Sequence, residues 1–279
     1  MSRKKKEEVR AGTAAGQTRE RGNGTMSFRT KIRLSILLVL FALAAVTMTT
    51  AAWFSIADNA RVRTMSLDII TGVELRIDLD AHETIDQYVK TLGFDQIAAR
   101  ILQEKGFSME ETPLEPVTTS DQKQFAYESG TAASDTGGSY LEFTLHFMAD
   151  RDMTVHLTSA DSKDDALDGT AILSETPGLP EAMRISFATD GQRWVYDPGM
   201  AAGAAQESGA TIFGLPAADQ MSLDDSNAMF SLKEGEDKAV EVHIWLEGTD
   251  PACTDDLRGG DYAIRLRFTG TGTDGETFE

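Results

Sequence analysis

From residue 66 onward, apolar and polar positions mostly alternate with a period of two. Over 66–79, Leu67 and Ile69, then Val73, Leu75, Ile77 and Leu79, share one face. Over 140–148 the alternation is clean: Leu141, Phe143, Leu145 and Phe147 point one way, and Glu142, Thr144 and His146 the other. Met153, Val155 and Leu157 repeat it, as do the runs 183–188, 240–246 and 262–268. Such a chain builds strands with one apolar face each. The pattern predicts a mainly β domain, an antiparallel β-sandwich of jelly-roll type.

Three segments break the alternation. Over 83–105, Ile85, Tyr88, Val89 and Leu92, then Ile97, Ile101 and Leu102, follow helical spacing. This predicts a helical insertion, either one helix or two broken near Gly93. Residues 107–138 are polar and turn-rich, with Pro113, Pro116, Gly130, Gly137 and Gly138, and read as a flexible loop. The Gly- and Ala-rich stretch 197–214 reads as irregular surface.

The N-terminal fifth of the chain is different in kind. Residues 34–52 carry no charge, and nineteen residues of helix span about 28 Å, close to a bilayer's hydrocarbon thickness. Ten Lys and Arg against three Glu give residues 1–33 a net charge of +7. The remainder of the chain, with 16 bases and 42 acids, carries -26, for -19 in all. This asymmetry predicts a basic cytoplasmic tail over 1–33, a transmembrane or signal-anchor helix over 34–53, and an extracellular domain over 54–279. Thr50, Ala51 and Ala52 also suit a signal peptidase, so secretion after cleavage near Ala52 is the other fate of the segment. Met26 offers an alternative start to Met1. So acidic a domain repels nucleic acid, which excludes that class of partner. Cys253 is the single cysteine, leaving no internal disulfide, and reads as a small loop residue.

Beyond the apolar segment, Trp53 and Phe54 are followed by the strand-like stretch 55–69, "SIADNARVRTMSLDI". This region resembles the start of camelysin/TasA-like exported proteins of Gram-positive bacteria. Residues 240–268, "VEVHIWLEGTDPACTDDLRGGDYAIRLRF", are similar to a stretch of uncharacterised surface proteins of Clostridia-type bacteria. The resemblance implies an exported β-sandwich that forms a biofilm matrix or fibre, and it carries over no catalytic residues. The stretch beyond the membrane exit reads first as a strand of its own molecule's sheet; as an N-terminal arm able to pair with a neighbour's sheet edge, it offers self-assembly by strand addition as the alternative.

Motifs for common chemistries are absent: there is no G-x-S-x-G elbow, H-E-x-x-H, P-loop or G-x-G-x-x-G. The side-chain parity of 140–157 allows a hairpin with Asp150, Arg151 and Asp152 as its loop. That register sets His146 opposite His156 with their Cβ atoms about 5 Å apart, near enough to share a metal. A camelysin-like metalloprotease is the enzymatic alternative. Asp250, Asp255, Asp256 and Asp261, shaped by Pro251 and Gly259-Gly260, form a candidate calcium loop, and further acids cluster at 161–168 and 224–225. Trp194 and Tyr196, read as outward-facing, are candidates for stacking a sugar or packing on a neighbour. The leading expectation is a cell-surface or matrix protein without catalytic activity, structural or adhesive. An extracellular carbohydrate- or peptide-binding module is the second.

Overall fold

Strands form where the alternation is strongest, and both faces of the chain's pleat find a use. The computed structural model describes residues 36–39, 62–72, 74–159, 169–207, 209–216, 228–272 and 277–278. The strands are β1 (Arg63–Thr71), β2 (Leu75–Asp78), β3 (Thr91–Leu92), β4 (Pro116–Val117), β5 (Leu141–Ala149), β6 (Met153–Leu157) and β7 (Ala171–Leu173). They continue with β8 (Met183–Thr189), β9 (Gln192–Tyr196), β10 (Gly203–Glu207), β11 (Ala210–Gly214), β12 (Ala228–Leu232), β13 (Lys238–Glu247), β14 (Asp261–Thr271) and β15 (Thr277–Phe278). Within the described residues from 62 onward the α-helices are α1 (Phe94–Lys105) and the short α2 (Leu179–Ala182).

The described strands form two sheets. The first runs β12-β6-β14-β1-β3, with β7 and β15 also on β14; the second runs β10-β11-β9-β8-β13-β5-β2, with β4 on β13. One core serves both. Leu67 and Ile69 of β1, Val155 and Leu157 of β6, and Leu266 and Phe268 of β14 meet Phe143, Leu145 and Phe147 of β5 and Ile185 and Phe187 of β8. The Phe268 ring sits between sheets, edge-on to Phe147 at 5.1 Å and to Phe187 at 5.6 Å.

The expected all-antiparallel order is corrected: both sheets are mixed. β1 pairs in parallel with β14, β11 with β9, and β4 with β13. A parallel pair requires a long return connection, and nearly the whole domain lies between β1 and β14.

The helical insertion is real only in its second half. Gly93 starts α1, and Gly106, at φ 83° in the left-handed region, ends it. Upstream, Leu92 pairs with Ile69 and Val89 bridges to Ile77, so the apolar residues there serve a sheet edge. Only a 3-10 turn forms at Ile85–Gln87.

Residues 107–138, expected as a flexible loop, are folded down. Phe107, Met109 and Leu114 enter the main core. Val117 and Phe125 join Tyr140, Val195, Ala210 and Trp245 in a second cluster on the outer face of the second sheet. Irregular spacing of these apolar residues hides them from a periodicity search. The stretch 197–214 likewise holds the β10–β11 hairpin, Gly203 opposite Gly214. A Cβ at Gly214 would collide with the carbonyl oxygens of Met200 and Ala201, which explains a glycine there.

Of the N-terminal unit, Met1–Thr49, only residues 36–39 are described, as exposed helix. Among the described residues no helix is long and apolar enough to cross a membrane. The rest of the expected basic tail and membrane segment lies outside them. So do the strand position Val73 and the acid clusters within 161–168 and at 224–225.

Candidate functional site

The two histidines do not face each other. β5 pairs with β13 and β2 in the second sheet, whereas β6 pairs with β14 and β12 in the first. Residues 150–152 carry the chain from one sheet to the other, so Phe147 and Val155 reach the same core from opposite sides. The parity was right and the partner was not. His146 Nδ1 lies 3.0 Å from each carboxylate oxygen of Asp237, and the Tyr88 hydroxyl donates to Asp237 Oδ1 at 2.6 Å. His156 is buried, its Nε2 2.9 Å from Thr271 Oγ1. Among the described residues no three His, Cys, Asp or Glu side chains converge as a metal site would require.

Trp194 and Tyr196 face inward, against the expectation. Trp194 packs edge-on to Phe230, and Tyr196 beside Phe213. Burial pushes the Tyr196 hydroxyl up to about 12. Val195, between them, faces out into the second apolar cluster. Both faces of β9 are covered, so apolarity alone could not tell inside from outside.

In the 250–261 loop the carboxylates are divided among arginines. Asp250 binds Arg184 at 2.5 Å, Asp255 binds Arg258 at 3.3 Å, and Asp261 binds Arg63 at 3.2 Å. Asp256 sits exposed in the 3-10 turn Asp255–Leu257. Cys253 lies in this loop, as expected, and packs from it into the main core, where burial pushes its thiol up to about 12.

The strongest polar constellation lies elsewhere. In the paired register, Ser186 of β8, His243 of β13 and Glu142 of β5 stand in one row across three strands. Ser186 Oγ is 3.5 Å from His243 Nδ1, and His243 Nε2 is 3.4 Å from Glu142 Oε2. Lys105, the last residue of α1, donates to Glu142 Oε1 at 2.7 Å and to Asp135 Oδ2 at 2.6 Å. His243 and Lys105 together hold the Glu142 carboxyl down at about 2. Phe125 and Tyr140, stacked at 4.1 Å, cover the row, and the Phe125 ring lies 5.3 Å from the imidazole.

Comparison with known proteins finds no matching family model, no similar curated protein and no similar solved structure.

A hydroxyl, an imidazole and a carboxylate in a row suggest nucleophilic catalysis, but a nucleophile must be reached by its substrate. Ser186 is 1% exposed. The row is instead a clamp, fastening α1 and the 107–140 segment to the sheet by charge-assisted bonds. Glu142, Ser186 and His243 each sit at an outward parity in the sequence, yet only the strand order β8-β13-β5 aligns them.

A second arrangement flanks this clamp. Arg184 Nη2 lies between Asp250 and Asp197, the latter at 3.1 Å. Arg184 Nη1 donates to the carbonyls of Glu181 and Met183. Burial raises the Asp197 carboxyl above the usual carboxylate range. Glu247 accepts the Trp245 indole N–H at 2.9 Å and both the N–H and the hydroxyl of Thr249. Arg184, Asp197, Trp245, Glu247 and Thr249 border a cleft.

Proposed function

We propose that this chain is an exported, non-catalytic protein of the bacterial surface or extracellular matrix, and that it assembles by lending its first strand to a neighbour. The observation that carries this reading is the position of β1. It enters from the N-terminal side and lies within the first sheet, between β14 and β3. Its Leu67 and Ile69 are fully buried. On the far side β3 pairs only with Ile69 and Ile70. Three residues, 72–74, then carry the chain into β2 of the other sheet. A buried terminal strand on a short hinge can be exchanged between molecules, because the same bonds and apolar contacts form in either case. Where each molecule passes its strand to the next and not back to its donor, the contact is head-to-tail, and head-to-tail contacts that do not close into a ring grow filaments.

In this reading the two sheets make a β-sandwich of jelly-roll type, and residues 34–52 act as the export signal or anchor. Support for export comes from the basic lead before those nineteen uncharged residues and from the resemblance of 55–69 to camelysin/TasA-like proteins.

The test uses the form beginning at residue 53, followed by light scattering across concentration. We expect mass to grow with concentration, and a molar excess of the Arg63–Thr71 peptide to stop the growth where a scrambled peptide does not. A constant monomer mass, with no uptake of labelled peptide, would overturn the proposal.

A further inference from the structure

The strand that ends a sheet presents main-chain donors and acceptors with which a further strand can pair. The two sheet orders end in β12 and β3 on the first sheet and in β10 and β2 on the second. Three of these edges are blunted. β3 is two residues long, β12 is irregular between Ala228 and Ser231, and the outer side of β2 is taken by the bridge from Val89 to Ile77. β10, Gly203–Glu207, is not blunted. Its five residues run in unbroken register with β11 and include no proline or lysine. Among the described residues no strand or bridge lies along its outer side.

Which of its main-chain groups face outward follows from β11. The Asp197 N–H donates to the Phe213 carbonyl, so the main chain of Phe213 serves the β9 side. Ala204, opposite Phe213 in the hairpin, therefore stands in a non-hydrogen-bonded pair, with its own N–H and C=O turned away from β11. Alternation turns those of Gln206 the same way. The closing pair Glu207–Ala210, with two residues between, requires the same phase. Ala204 and Gln206 are both exposed.

Side chains as small as Ala204 and Ala205 give a foreign strand little to be selected by. What the edge fits is its own copy. Antiparallel pairing about a two-fold axis through Ala205 overlaps the whole of β10, setting Ala204 opposite the copy's Gln206 and Gly203 opposite the copy's Glu207. The outward groups then meet in two hydrogen-bonded pairs, and the one charge on the strand lies against a glycine instead of against its like.

We propose that β10 is a self-complementary edge at which two copies of this chain join, so that the second sheet runs from one molecule into the next. A two-fold contact closes at two, whereas exchange of β1, in the other sheet, grows with concentration. Either can fail without the other.

The contact is small and mainly main chain, so the experiment traps it. The full chain in detergent is oxidised with copper phenanthroline and its mass read on a non-reducing gel. Across the axis the two Ala205 Cα atoms come about 4.5 Å apart, within the span of a disulfide. The two Ala204 Cα atoms lie about 8 Å apart, outside it. Ala205→Cys should form a linked dimer about tenfold faster than Ala204→Cys. The parent, whose one thiol at Cys253 is buried, should form none. Gln206→Pro removes an outward N–H and spares the hairpin's own bonds, so adding it to Ala205→Cys should abolish the link. Equal rates at 204 and 205 would report chance collision and overturn the proposal. So would an Ala205→Cys chain that stays monomeric, which returns the edge to a strand of another protein. A linked dimer that survives Gln206→Pro would place the contact elsewhere and overturn it too.

Discussion

Glu142 gathers the charge balance of the covered face into one side chain. It accepts from Lys105 and faces His243, and these two hold its carboxyl at about 2 against the usual 4.5. A depressed carboxyl contributes stability that is fully present above about 4.5 and is lost as the pH falls toward 2. Glu142→Gln keeps the shape and removes the charge. At pH 7 it should lower the thermal midpoint by about 5 °C, from the loss of charge-assisted bonds worth about 2 kcal/mol. The gap between variant and parent should close through the window from pH 4.5 to 2. A gap that stays constant with pH would show that the clamp does not depend on ionised Glu142. At this scale the sequence was legible in its parity: Glu142, Ser186 and His243 all point out as alternation requires. What each would touch was not legible, because the partners lie tens of residues away.

Elements show the same division. Strands with clean alternation, β5, β6, β8, β13 and β14, appear where the pattern places them. Their neighbours do not follow from it, since parity permits a β5–β6 hairpin and a crossing between sheets equally well. Trp194 and Tyr196 turn inward, against the expectation, for a related reason: both faces of β9 are buried, so the outward Val195 is as apolar as they are. The parallel β1–β14 pair joins the two ends of the domain and leaves no local mark. Helix ends are local, and here glycine is informative. Gly106 closes α1 at φ 83° with no atom within 4 Å of a would-be Cβ. The cost of Gly106→Ala is therefore conformational alone, about 1 kcal/mol. Thermal unfolding should shift down accordingly, and a stabilising Gly106→Ala would contradict the left-handed cap.

For the molecule as a whole, the governing quantity is charge. Beyond residue 33 the chain carries a net -26, spread over a domain that is proposed to dock head-to-tail with copies of itself. Each added subunit brings like charge against like, and the repulsion acts on the encounter before any strand is exchanged. Salt screens it, with a Debye length of about 30 Å at 0.01 M and about 3 Å at 1 M. Burial of Leu67 and Ile69 in a neighbour is apolar and main-chain work, which salt does not weaken. Assembly of the form beginning at residue 53 should therefore speed up several-fold as sodium chloride rises from low to high concentration, with the final filament mass unchanged or greater. Complementary ion pairs at the interface would give the opposite sign. An assembly that slows with salt would place such pairs, and not an exchanged strand, at the contact between molecules.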